Sequence, residues 1–269
     1  MIPGFISGSH GSLFTVYFPP APDTDDGGDV IYVPPFAEEM NRSRAVVAAQ
    51  ARHLQSSGFG VLILDLYGTG DSAGDFADAR WEAWREDLVT AADWLAGKGR
   101  PLWGIWGLRL GALLAADTAG RAPDRFRRLL LWDPVTSGKD YLDRFLKIAA
   151  TSPNHEARGI AAEGDRIRLS HDGPLEVAGY PISRSLMHGI LRTQLNETVR
   201  NCAIEIDWLD LRDRGDARRI DVDAVRNALH ADAALRHRVL AVQPFWSVQD
   251  TVADPNLFDA TAETLRATL

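Results

Sequence analysis

The stretch Leu102 to Ala116, LWGIWGLRLGALLAA, reads as a buried strand turning into a helix, with Gly107-Leu108-Arg109-Leu110-Gly111 at its centre. In an elbow of the form G-x-S-x-G, a sharp strand-to-helix turn lifts a serine above the sheet, and the flanking glycines let strand and helix approach closely. Here the frame is kept and the nucleophile is not. Arg109 holds the central position, and a guanidinium that stays protonated at ordinary pH does not attack a carbonyl.

Ser-His-acid chemistry also needs a histidine after the last strand, an acid after a late strand and two backbone donors for the oxyanion. The last apolar run is followed by Gln243 to Asp250, QPFWSVQD, and no histidine lies beyond His237, at that strand's entrance. Asp207 and Asp210, placed after the seventh strand, are the candidate acids, but an acid with no histidine to orient has no role in a triad. The donor loop after the third strand contains Pro34-Pro35, neither of which has an N–H. That leaves the N–H of Phe36 or Ala37, together with Leu110 N–H at the start of the elbow helix.

A lone cation at a helix N-terminus is disfavoured by roughly 0.3–1 kcal/mol, so Arg109 predicts a compensating anion. Glu38 and Glu39 lie in the loop that should border the elbow, and Asp133 follows the neighbouring strand at the same edge of the sheet. The other source of compensation is a ligand carboxylate or phosphate, which guanidinium and helix N-terminus both favour. Two readings stay open. In one, the chain binds an anionic or acyl small molecule in the crevice at Arg109, Leu110, Phe36, Ala37, Glu38, Glu39 and Trp246, or simply closes that crevice with an Arg–carboxylate pair. In the other, it is an atypical ester or acyl hydrolase in which Glu38 or Glu39 activates a water and Arg109 acts as electrophile, with Asp133 nearby.

Other groups read as structural. Gly68-Thr69-Gly70-Asp71-Ser72 lacks the lysine of a phosphate loop and reads as the turn after the fourth strand. His10, His53, His155, His171, His188 and His230 show no metal-ligand spacing, so neither metal nor cofactor is expected. His155, His171 and His188 fall in an insertion above the crevice and are expected to be solvated or hydrogen-bonded there. Cys202 is the single cysteine and is expected to be a strand-buried thiol.

These residues need a scaffold to converge, and the sequence supplies one. Apolar runs at Phe5–Ser7, Leu13–Phe18 and Val30–Val33 predict an antiparallel start leading into a central strand. A helix is expected from Met40, ending at Ser57-Gly58, then a strand Gly60–Leu64. A second helix carries Trp81, Trp84, Leu88, Ala91 and Leu95 at helical spacing, so its tryptophans read as core. The elbow and a strand Arg127–Trp132 follow. Alternating strands and helices of these lengths specify an α/β fold: a mostly parallel central sheet with helices on both faces.

From Gly138 to Val199 the rhythm changes. A helix is expected at Asp140–Ala150, a hairpin about Asp172-Gly173 joining Arg166–Ser170 to Leu175–Ala178, and a helix at Ser183–Leu195. An insertion after the sixth strand is where a lid would sit, so residues 138–199 are read as a lid within one domain spanning 1–269. The core resumes with a strand Cys202–Leu209, a charged helix Asp216–Ala234, a strand Arg238–Val242 and a helix Asn256–Thr268.

The chain has 269 residues, 45% hydrophobic and 25% charged, enough for a full core in one domain. A formal charge of -8 argues against nucleic acid, which is bound through clustered Lys and Arg. No stretch approaches a membrane span and the first residues lack a basic segment followed by an apolar run, so a soluble cytoplasmic protein is expected. Oligomeric state is not legible.

Five strings in order, PPFAEEMNRSR, DLYGTGDSAGDF, DARWEAW, WGLRLGALLA and LEVAGY, carry a resemblance. With the frame above, the chain resembles an α/β hydrolase over nearly its whole length, and within that fold it is similar to the second type of exosortase A system-associated hydrolase. The resemblance implies the α/β-hydrolase fold, a setting among exopolysaccharide and protein-sorting loci of Gram-negative bacteria, and an arginine elbow that belongs to the branch. It supplies no substrate.

Overall fold

In the computed structural model, residues 1–24, 26–151, 160–163, 166–169, 174–213, 216, 221–249 and 253–267 are described. β1 (Ile2–Gly8) and β2 (Gly11–Phe18) form an antiparallel hairpin, and β2 also pairs antiparallel with β4 (Phe59–Leu64). β3 (Gly28–Val33), β4, β5 (Leu102–Leu108), β6 (Arg128–Trp132), β11 (Glu205–Arg212) and β12 (Leu235–Ala241) then run parallel. The eight-stranded sheet has the order β1-β2-β4-β3-β5-β6-β11-β12.

Side-chain alternation along the central strands builds two cores. Ile31, Val33, Leu129 and Leu131 face α2 (Trp81–Ala96) and α3 (Leu110–Arg121), whose Leu88, Leu113 and Ala116 pack on them. Val30, Tyr32, Leu130 and Trp132 face α1 (Glu38–Gln55) and α8 (Pro255–Ala267), through Val47, Leu54 and Leu257. Helices on both faces are therefore present, as the sequence predicts for an α/β hydrolase.

The two elbow glycines are sterically required. A Cβ on Gly107 would lie 2.4 Å from Ala112 Cα, and one on Gly111 would lie 2.3 Å from the Pro34 carbonyl oxygen. The start of α3 is thus pressed against the end of β3, which brings the Pro34–Ala37 loop to the elbow.

Between β6 and β11 the chain forms α4 (Gly138–Thr151), β7 (Ile160–Glu163), β8 (Arg166–Leu169), β9 (Leu175–Val177), β10 (Tyr180–Ile182), α5 (Arg184–Arg192) and α6 (Leu195–Thr198). Two expectations are corrected here. The described parts of the expected hairpin, Arg166–Leu169 and Leu175–Val177, do not pair with each other: β7 pairs with β8, and β9 with β10, while Ser170 and the turn at Asp172-Gly173 lie outside the described residues. Ala178 and Gly179, at φ 52° and 82°, supply the two left-handed residues that a tight two-residue turn demands, and this turn pairs β9 with β10. The charged helix expected at Asp216–Ala234 shortens to α7 (Val222–Arg226), capped by Asp221, whose side chain accepts from Ala224 N–H; residues 217–220 lie outside the described residues. Among the described residues no helix is long and apolar enough to cross a membrane.

Candidate functional site

Arg109 caps α3 with φ 54° and ψ -118°, a conformation L-residues rarely adopt. The sheet enforces it: Arg109 N–H donates to the Trp132 carbonyl (3.0 Å), and the Arg109 carbonyl accepts from Val135 N–H (3.2 Å). Its side chain is 19% exposed and leans toward the β6 side. Nη1 donates to Asp133 Oδ2 at 2.9 Å, and Nε lies 3.6 Å from Glu39 Oε1. The guanidinium carbon is 5.4 Å from the Trp246 ring centre and 6.0 Å from that of Tyr141. Trp246, from the loop after β12, thus lies against the arginine in the segment that carries the histidine in a triad enzyme.

Of the three acids expected to compensate Arg109, the structure brings two. Asp133 is fully buried beside it, and Glu39 completes the pair from α1. Glu38 points elsewhere, 3.5 Å from Arg42 Nε and accepting from Tyr180 OH (3.2 Å), because adjacent residues at the start of a helix face different directions. Burial pushes the Glu39 carboxyl above its ordinary value, more than Arg109 draws it down. Tyr141 OH donates to Glu39 Oε2 at 3.3 Å, and burial together with Glu39 holds that phenol well up. Burial works against the Arg109 charge, but Glu39 and Asp133 more than restore it and its pKa ends raised.

Phe36 divides the region into two chambers. On one side, a crevice of about 520 Å³ contains Arg109, Glu38, Glu39, Tyr141 and Arg144. On the other, a cavity of about 220 Å³ is walled by Phe36, Leu66, Phe76, Trp81, Trp84 and Leu114, with Leu110 and Gly111 at its elbow end. Arg109 is not part of that second wall. As the first residues of α3, Leu110 and Gly111 have N–H groups with no partner inside the helix. Phe36 and Ala37, also expected as donors, border the same cavity, and Ala37 repeats the elbow conformation with φ 52° and ψ -127°.

Several sequence expectations change. Trp81 and Trp84 are buried core residues, as read, yet their rings also wall the cavity. Gly68, Thr69 and Gly70 border it too, within a turn held by Asp65, which accepts from Asp71 N–H (3.1 Å) and Arg44 (2.9 Å). Asp207 and Asp210 lie within β11, not after it, because the ladder to β12 runs through Arg212, three residues beyond the end of the ladder to β6 at Leu209. Asp207 pairs with Arg236, and Asp210 with Arg212, with His237 Nε2 at 3.5 Å. His188 is exposed on α5 and lines neither chamber; His155 and His171 lie outside the described residues. Cys202 is half-buried just ahead of β11, not within a strand.

Sequence reading gave no site role to Tyr141, Tyr180, Leu66, Phe76 and Leu114: all but Tyr141 fall within the strings quoted above, but as apolar or aromatic side chains they mark no chemistry. It also missed Asp87. This carboxylate accepts from Tyr67 N–H at 2.8 Å, at the start of the cavity turn, and burial pushes it up to about 6. A folded-state pKa raised above the ordinary 3.8 gives stability that is fully present below that value and lost as pH rises through 6. Between pH 4 and 7.5 the parent is therefore expected to lose up to about 3 kcal/mol relative to Asp87→Asn. Parallel denaturant curves for the two proteins at both pH values would disprove the assignment.

Comparison with known proteins agrees with this geometry. Residues 28–204, well over half of the chain, match the model of the family described as "Serine aminopeptidase, S33". No curated protein matches. Among solved structures, Est1E from Butyrivibrio proteoclasticus is similar at 12% identity and TM-score 0.63, over 98% of this chain and 96% of that one. Mouse alpha/beta hydrolase domain-containing protein 10 is similar at 14% identity and TM-score 0.61, over 99% and 98%. XC6422 from Xanthomonas campestris, described as an α/β serine hydrolase without lid, is similar at 16% identity and TM-score 0.54, over 99% and 92%. At these identities the likeness is one of fold, and with the family match and the elbow it places the chain in the serine aminopeptidase (S33) family of α/β hydrolases.

Proposed function

We propose that this chain is an α/β hydrolase with a degenerate triad that binds an acyl or aryl small molecule. The ligand's apolar body occupies the cavity beside Phe36, and its carbonyl or carboxylate end meets the Leu110 and Gly111 N–H groups. One observation carries the proposal: an apolar cavity opens onto the α3 N-terminus while the arginine that replaces the nucleophile lies outside its wall, paired with Asp133 and Glu39. A helix N-terminus favours negative charge, so an anionic head fits there with no help from Arg109. We place residues 138–199 as the lid of a single domain, since Tyr180 borders the cavity and Tyr141 and Phe145 border the crevice. The exosortase-associated branch belongs to the same proposal and rests on the five ordered strings; the cytoplasmic setting expected from the sequence is carried with it.

The test uses octanoate and ferulate as probes and reads tryptophan fluorescence and melting temperature, because Trp81 and Trp84 wall the cavity. Saturable changes are expected for at least one probe and should vanish in Leu114→Trp, which fills the space. Arg109→Met should leave the affinity within about threefold; a loss beyond about tenfold would return the ligand to the Arg109 crevice. No response to either probe at millimolar concentration would overturn the reading.

The raised Glu39 carboxyl favours one second reading, water activation by Glu39 beside Arg109. A base acts only once deprotonated, so ester turnover on that route would climb with pH and disappear in Glu39→Gln.

A further inference from the structure

On the α2–α3 side of the sheet, across Trp81 from the elbow cavity, a polar groove of about 440 Å³ runs between α2, the end of α3 and the α5–α6 connection. Four of its lining residues are arginines, Arg85, Arg121, Arg192 and Arg200, in a chain whose formal charge is -8. A buried carboxylate organises two of them. Asp117, 7% exposed at its side chain, accepts from Trp81 Nε1 at 2.8 Å and Arg85 Nη1 at 3.1 Å on Oδ2, and from Arg121 Nε at 3.0 Å on Oδ1. Each guanidinium engages Asp117 through one nitrogen, which fixes its plane and leaves further N–H groups for another acceptor. Arg192 and Arg200 take part in no ion pair among the described residues, although both line the groove.

Pre-set guanidinium forks beside free ones suit a tetrahedral dianion, which accepts several charge-assisted bonds at once. Among the described residues the groove sets three carboxylates against its four arginines: Asp117 is engaged by Trp81, Arg85 and Arg121, Glu82 lies 3.9 Å from Arg85, and Glu197 is exposed, which leaves an excess of positive charge. We propose that this groove is a second binding site, for the phosphate or diphosphate group of a small molecule, independent of the cavity at the elbow.

Calorimetric titration of the full chain with inorganic pyrophosphate at about 50 mM salt tests it. Saturable binding is expected, weakened at least about tenfold in Arg192→Ala/Arg200→Ala and tightened in Glu197→Gln. Both replaced arginines are exposed, so the double variant should melt with the parent and still respond to octanoate; this separates the groove from the elbow cavity. Citrate, whose carboxylates are planar, should bind at least about fivefold more weakly. No heat with pyrophosphate, equal affinity in the double variant, or equal affinity for citrate would each overturn the assignment. Should the double variant melt early, Arg200→Gln alone carries the same expectation and decides it.

Discussion

Arg109→Ser is expected to yield no serine esterase. The variant restores G-x-S-x-G on an elbow that already has the strained turn, both glycines and the Leu110 N–H, so only side-chain chemistry is tested. Among the described residues no histidine lines either chamber, and Trp246 lies beside the position, so the new hydroxyl would lack a proton acceptor there. Removing the nucleophile or the histidine of a Ser-His-Asp enzyme lowers turnover by about 10⁶, with roughly 10³–10⁴ over water left from the oxyanion hole and binding. Parent and variant should both sit at or below that residual level on nitrophenyl butyrate, and fluorophosphonate probes should label neither. Stoichiometric labelling of either protein, or turnover in the variant well above the residual level, would show a base among these residues.

Asp133→Ala should be the most destabilising single change at the site. Asp133 is 1% exposed at its side chain and holds Nη1 of Arg109 at 2.9 Å, so its loss leaves a largely buried cation with Glu39, at 3.6 Å, as its one carboxylate among the described residues, beside a 3.4 Å bond to the residue 133 carbonyl. Breaking a buried pair by removing one partner costs about 3–5 kcal/mol, mostly as the penalty of the charge left behind. For a domain of this size that is a fall in melting temperature of roughly 10 °C. Removing both charges, in Arg109→Met/Asp133→Ala, should recover part of the loss. A melting point for Asp133→Ala within about 2 °C of the parent, or a double variant no better than the single one, would contradict the account.

The fold was legible because its signals are local and repeated. Continuous apolar strands, helical spacing and the paired glycines at 107 and 111 fix the sheet and the elbow, and the loops bordering the elbow follow from the order of strands. The compensation of Arg109 by Glu39 and Asp133 was legible for the same reason, since topology alone brings those loops to one edge. Choosing Glu39 over Glu38 needed helix phase, which depends on where α1 starts. The cavity escaped notice because its walls come from five separate stretches, and Leu66, Phe76 or Leu114 would read the same in any core. The Asp117 anchor was equally hidden, as an aspartate inside a helix shows nothing in sequence of the two arginines that turn toward it.

The strained backbone at position 109 is held independently of the residue that occupies it. The bonds from Arg109 N–H to Trp132 and from Val135 N–H to the Arg109 carbonyl are main-chain bonds, indifferent to which side chain they carry. Ala37 holds nearly the same dihedrals at the facing loop, again without help from its methyl group. Exchanging one side chain for another at position 109 therefore leaves the conformational energy stored there, of order 1–3 kcal/mol per residue, unrelaxed. The platform is thus indifferent to its occupant: the main-chain frame that presents a guanidinium here would present any other side chain at the apex in the same place.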